Sequence, residues 1–177
     1  MTRPRLPLQG MAERHYGVTP AIAESYLEAA RVCLDRSHSP PQDFAILSSD
    51  FEHVALVDWE PVDARVRGGW ANVADATRDG AYAFAIAAVE LTMGWFAVKR
   101  AETLTGADYY IASTNRQVED LEGCKRLEVS GTDLSRSGIN SRLKEKVEQT
   151  RSGRSNLPAL AIVVGFKVKM ISMQTVE

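Results

Sequence analysis

Cysteine and histidine are scarce in this chain, and neither is arranged for chemistry. Cys33 and Cys124 lie far apart with no CxxC partner, which argues against a disulfide framework or a zinc finger and makes a reducing, cytoplasmic setting the expectation. His15, His38 and His53 form no ligand-spaced pair. There is no Walker loop, no GxGxxG and no GxSxG elbow, so the usual signatures of nucleotide binding and serine hydrolysis are missing. No repeat or low-complexity segment occurs. The one long apolar run, AYAFAIAAVELTMGWFAV from Ala81 to Val98, is rich in alanine and broken by Glu90 and Gly94, so it reads as a buried helix running into a strand. No membrane partner is expected. The start, MTRPRLPLQG, lacks the apolar run of a secretory signal and reads as a loose arm up to Met11.

What the chain does have is enough apolar material for one sizeable core. With 177 residues, 45% of them hydrophobic, a single domain is expected. Charge is uneven. Residues 1–94 carry 8 Lys+Arg against 13 Asp+Glu, a balance of −5, whereas residues 95–177 carry 13 against 10, a balance of +3. Arg142, Lys144, Lys146, Arg151 and Arg154 concentrate positive charge on one segment, with Glu145 and Glu148 interspersed. Such a segment suits either a nucleic-acid contact or a solvated helix face. A protein partner or a second copy of the chain is equally open.

Hydrophobic periodicity orders the elements. Thr19-Pro20 reads as a helix start, and Ile22, Tyr26, Ala29, Ala30 and Cys33 recur at helical spacing until His38-Ser39-Pro40-Pro41 stops the run. Phe44 to Leu47 and Val54 to Trp59 read as a hairpin. Trp70 to Met93 reads as a central helix, apolar almost all round in its second half. Trp95 to Lys99, Asp108 to Ala112 and Lys125 to Val129 read as strands. Ser135 to Thr150 returns to helical spacing, with Ile139, Leu143, Val147 and Thr150 in one stripe. Lys146 falls about 60° from the middle of that stripe, at the rim, from where it can reach inward. Ala159 to Met173, interrupted at Gly165, gives one long or two short strands.

Two of these strands each hold one carboxylate. Asp108 follows a Thr-Gly turn at Thr105-Gly106, and Glu128 lies in Leu127-Glu128-Val129-Ser130-Gly131. Strand alternation points Leu127 and Val129 into a core and Glu128 the other way. If the strands are neighbours, the two acids repel unless a cation or a proton lies between them, as in a divalent metal site or a tuned acid and base. Otherwise each faces water at a strand end. Glu90, alone on the apolar helix, needs either a cation such as Lys99 or Arg100, or a place with the other two acids.

The order from Trp70 onward, helix, three strands, helix, strand, with GAD in the second strand and LEVS in the third, resembles the core of the PD-(D/E)XK nuclease superfamily, the restriction-endonuclease-like fold. The resemblance covers about the last hundred residues. It implies an α/β fold with a mixed central sheet of about four to five strands flanked by helices, residues 67–177 forming the core and residues 1–66 a helix and hairpin extension. It further implies a hydrolase acting on phosphodiesters with Mg or Mn held by Asp108 and Glu128, and Glu90 as the helix acid. The lysine expected two residues beyond the glutamate is Ser130, so Lys146 from the following helix would take its place, with Lys144 the weaker choice. Arg142, Lys144, Arg151 and Arg154 would contact nucleic acid. Without a working lysine, the same fold would serve as a binding or regulatory subunit.

Overall fold

In the computed structural model, which describes residues 2–177, one mixed sheet runs through the whole molecule. It is built from β1 (Gln42–Leu47), β2 (Glu52–Val57), β3 (Phe96–Arg100), β4 (Tyr109–Ala112), β5 (Lys125–Thr132), β6 (Ala159–Gly165) and β7 (Met170–Val176), in the order β2-β1-β7-β6-β5-β4-β3. The expected four to five strands are therefore seven. Two causes account for the difference: the chain turns back at Lys167–Lys169 and splits the last segment into antiparallel β6 and β7, and the hairpin β1–β2 joins the sheet by pairing β1 parallel to β7. β5 and β6 are also parallel, and every other pairing is antiparallel.

The helices are α1 (Met11–Arg14), α2 (Pro20–Asp35), α3 (Ala64–Gly69), α4 (Val73–Met93) and α5 (Arg136–Arg151). Each long one starts at a side-chain cap that satisfies an orphan backbone N–H: Thr19 accepts from Ile22, Asn72 from Asp75 and Ser135 from Gly138. Gly94, at φ 65°, ends α4 in the left-handed region that suits glycine at a helix terminus. α4 lies between the sheet and α2, which explains why its second half is apolar all round. Phe84 of α4 packs against Phe44 and Phe166, with ring centroids 5.1 and 5.2 Å away. On the opposite face of the sheet α5 makes the parallel crossover from β5 to β6, burying Ile139 and Val147. No helix of the described residues is long and apolar enough to cross a membrane.

The N-terminal arm is not loose. Leu6, Leu8 and Met11 are buried, and Leu6 and Leu56 exchange backbone bonds with their neighbours: the Leu6 N–H donates to Leu56 O at 2.9 Å and the Leu56 N–H to Pro4 O at 2.8 Å. The arm thereby satisfies part of the open edge of β2.

Candidate functional site

β4 is short. On its β5 side it pairs with the first residues of that strand, Tyr109 opposite Leu127, Tyr110 opposite Arg126 and Ile111 opposite Lys125, so among the described residues β5 from Glu128 onward has no strand on that side. A cavity of about 1010 Å³ opens there, lined by Glu128 to Asp133 of β5 and its exit, by Thr77, Arg78 and Tyr82 of α4, by Arg142, Lys146 and Gln149 of α5, and by the loop from Arg100 to Asp108.

Asp108 stands where β4 begins. Its N–H donates to Leu127 O at 2.7 Å, continuing the ladder, and its Oδ2 accepts from the Val129 N–H at 2.8 Å, taking the donor that the short strand leaves open. Oδ1 accepts from the Tyr82 hydroxyl at 2.9 Å, and Arg100 donates to Tyr82 Oη at 3.1 Å and to Asp108 O at 2.8 Å. The Arg100 guanidinium also lies over the Tyr82 and Tyr109 rings, 4.8 and 5.0 Å from their centroids. This cation fixes the carboxylate's surroundings from one side.

Glu128 is buried, with 4% of its surface exposed, while Leu127 and Val129 point into the core. Lys146 reaches it from α5, donating to Glu128 Oε1 at 2.8 Å and to Gln149 Oε1 at 3.0 Å. Burial and the neighbouring Asp108 carboxylate push the Glu128 pKa up, and the Lys146 ammonium pulls it back. The two acids and the helix lysine identified from sequence thus meet in one cavity.

Glu90 does not join them. It lies two turns beyond Tyr82, about 12 Å further along α4 at ~1.5 Å per residue, and its partners are neither Lys99 nor Arg100. Arg14 donates to Oε1 and His15 Nε2 to Oε2, both at 2.7 Å. The cation comes from α1, a four-residue helix too short to leave a periodic signal. His15 is wholly buried, and its Nδ1 accepts from the Ala97 N–H at 3.0 Å, so the ring is neutral with its proton on Nε2.

Desolvation holds the His15 pKa below its ordinary value, ahead of the opposing pull of Glu90. The unfolded chain therefore binds the proton more readily, and the His15 contribution to stability is full above about pH 6.5 and is lost as pH falls through the lower folded-state value. Unfolding temperatures measured between pH 8 and pH 5 should fall more steeply for the parent chain than for His15→Gln. Parallel curves would show that His15 stays neutral in both states or titrates alike.

The expected nucleic-acid contacts divide between two faces of α5. Arg142, Lys146 and Gln149 share the cavity side, whereas Lys144 and Arg151, both exposed, lie about 160° and about 140° from Lys146 at ~100° per residue. Arg151 pairs with Glu148 at 2.7 Å. Arg154 is exposed beyond the helix end, its N–H donating to Leu104 O at 2.9 Å. Arg78 and Arg100, by contrast, line the cavity without a local signal in the sequence that places them there, since each comes to it through the packing of α4 and β3.

Among the described residues no group of three or more His, Cys, Asp and Glu is placed to hold a metal ion. Asp108 and Glu128 make a pair, not a triad. Comparisons with protein-family models, with curated proteins and with solved structures give no match to the chain.

Proposed function

We propose that this protein is a metal-dependent phosphodiester hydrolase acting on nucleic acid, with Asp108 and Glu128 as metal ligands and Lys146 in place of the strand lysine that Ser130 lacks. The observation that carries this is the meeting of two carboxylates from adjacent strands with an ammonium from a helix in one cavity. Its support in the fold is the order of α4, antiparallel β3, β4 and β5, the α5 crossover and parallel β6, the arrangement expected of a restriction-endonuclease-like core.

The donor set suits a hard cation. Mg²⁺ takes one or two carboxylates and keeps several waters, and repulsion between Asp108 and Glu128 is what a divalent ion would relieve. When bound, Mg or Mn supplies Lewis acidity toward a phosphoryl oxygen and makes a water more acidic. The protein side chains supply the rest. The Lys146 ammonium offsets charge on the scissile phosphate and the attacking oxygen, Arg142 grips a phosphate beside it, and Tyr82 with Arg100 holds Asp108 in register. Attack of water on phosphorus breaks one P–O bond, and the leaving oxygen takes up a proton. Buried thiols at Cys33 and Cys124, both free, suit a reducing cytoplasmic setting.

A second reading, binding without cleavage, is favoured by one observation: both carboxylates already have protein donors, Asp108 from Val129 and Tyr82, Glu128 from Lys146. Labelled DNA and RNA, single-stranded and duplex, incubated with the chain in Mg²⁺ or Mn²⁺ and in EDTA, separate the two. Metal-dependent products are expected. Retarded but uncut nucleic acid would favour the second reading, and neither binding nor cutting would end both.

The binding face follows from α5. Arg142→Ala is expected to weaken binding to all sequences and reduce the salt slope by about one, while Lys144→Ala and Arg151→Ala, on the far face, should leave affinity within about twofold. Titrations at several salt concentrations check this; equal losses at all three positions would place the nucleic acid outside the cavity.

A further inference from the structure

Arg126 lies on β5 two residues before Glu128 and on the same face, with 4% of its surface exposed. Among the described residues its guanidinium meets no carboxylate. Nη1 donates to Thr105 O and to Thr150 O, each at 2.8 Å, and Nε to Leu157 O at 3.0 Å. Thr105 belongs to the loop that leads into Asp108. Thr150 lies in the last turn of α5, one turn after Lys146, and Leu157 in the turn entering β6. Carbonyls at a helix C-terminus carry partial negative charge, so the end of α5 stands where a counterion would.

The same seam is packed without room to spare. Gly106, at φ 67°, presents its backbone to α5 so closely that a Cβ would lie 3.0 Å from Gln149 O and from Gly153 Cα, and a Cβ on Gly153 would run into Thr105 O. A lysine on a strand is positioned by the ladder itself. A lysine on a helix depends on how the helix docks, and α5 is anchored to the sheet through Ile139 and Val147 on its buried stripe and joined to the Asp108 loop at its C-terminal end.

We propose that Arg126 is the positioning residue for Lys146, a strut that fixes the end of α5 against the Asp108 loop and so holds the ammonium on Glu128. The inference rests on the hydrolytic reading for its consequence in catalysis, and the two are tested by separate readouts in the full chain. The first needs no activity. In the parent, the Lys146 ammonium between Glu128 and Gln149 should give a protected side-chain ¹H–¹⁵N signal, assigned by its loss in Lys146→Ala. It is expected to vanish in Arg126→Met and to weaken in Arg126→Lys, which keeps the charge should the methionine variant fail to fold. A signal of undiminished strength in either folded variant would overturn the proposal.

The second readout is cleavage. Displacing a catalytic group by about an ångström costs on the order of 10²-fold. Arg126→Met should therefore lower kcat by about that factor with Mn²⁺ affinity within about twofold, because Glu128 lies on β5 and Asp108 stays tied to that strand through the Leu127 and Val129 bonds. The double variant with Lys146→Ala should be no slower than Lys146→Ala alone. Multiplying losses would overturn the proposal, since Arg126 would then act apart from Lys146. A parent chain that cuts nothing removes the hydrolytic reading and leaves the ammonium signal to decide the role of Arg126.

Discussion

Asp108→Asn and Glu128→Gln are each expected to abolish metal-dependent cleavage and, in the same proteins, to erase the rise in unfolding temperature that Mg²⁺ or Mn²⁺ gives the parent. The two effects belong together because both acids are ligands in the proposed site: a cation bound only by the folded chain stabilises it by RT ln(1 + [L]/Kd), about 2.7 kcal/mol at a hundredfold excess over Kd. For a chain of this size that is roughly 5 to 10 °C. Removing one of two carboxylates halves the anionic charge that holds the ion against its strongly bound waters. Thermal unfolding with and without metal, beside a cleavage assay, reads both. A variant that keeps the metal shift but loses cleavage would mean that its acid works as a proton carrier, and a parent with no metal shift would leave the pair without its cation.

How far the sequence reaches can be judged from particular residues. Pro20 to Asp35 is found as a helix with both expected ends, because Thr19-Pro20 and the later prolines act locally. Leu127 and Val129 are buried and Glu128 lines the cavity, because alternation on a strand is a local rule that a one-residue slip would invert. Lys146 reaches Glu128 because an angle on a helix is also local. What stayed hidden depends on distant partners. Nothing in Arg14 or His15 announces that they will meet Glu90, seventy-five or more positions away. Nor does Tyr82, one aromatic in an apolar run, reveal that its hydroxyl meets Asp108.

The strand count shows the same limit. β1 and β2 have the alternation of a hairpin, but their place in the sheet is set by the parallel pairing of Ala45, Ile46 and Leu47 with Met170, Ile171 and Ser172. That pairing follows from the last strand returning antiparallel to β6, which exposes a free edge for β1. A short helix such as α3, ARVRGG, depends on the Asp63 cap and its docking, since two glycines oppose it.

Lys146→Ala separates chemistry from metal binding. The ammonium sits 2.8 Å from Glu128 Oε1 and, in the proposed site, would take the place of the strand lysine, since a hydroxyl at Ser130 carries no charge. Removing one such electrostatic contribution costs on the order of 10² to 10³ in rate. Lys146→Ala should therefore lose cleavage by that factor while Asp108 and Glu128 still bind Mn²⁺, and bind it somewhat more tightly, because Glu128 no longer has an ammonium competing for its oxygen. Single-turnover cleavage and Mn²⁺ titration on the same protein measure the two quantities. Ser130→Lys in the Lys146→Ala background supplies the control: Ser130 lines the same cavity, so an ammonium placed there should restore part of the rate. Should the natural chain cut no DNA or RNA and Ser130→Lys alone confer cleavage, Lys146 would be a structural partner of Glu128, and the natural protein would bind nucleic acid without hydrolysing it.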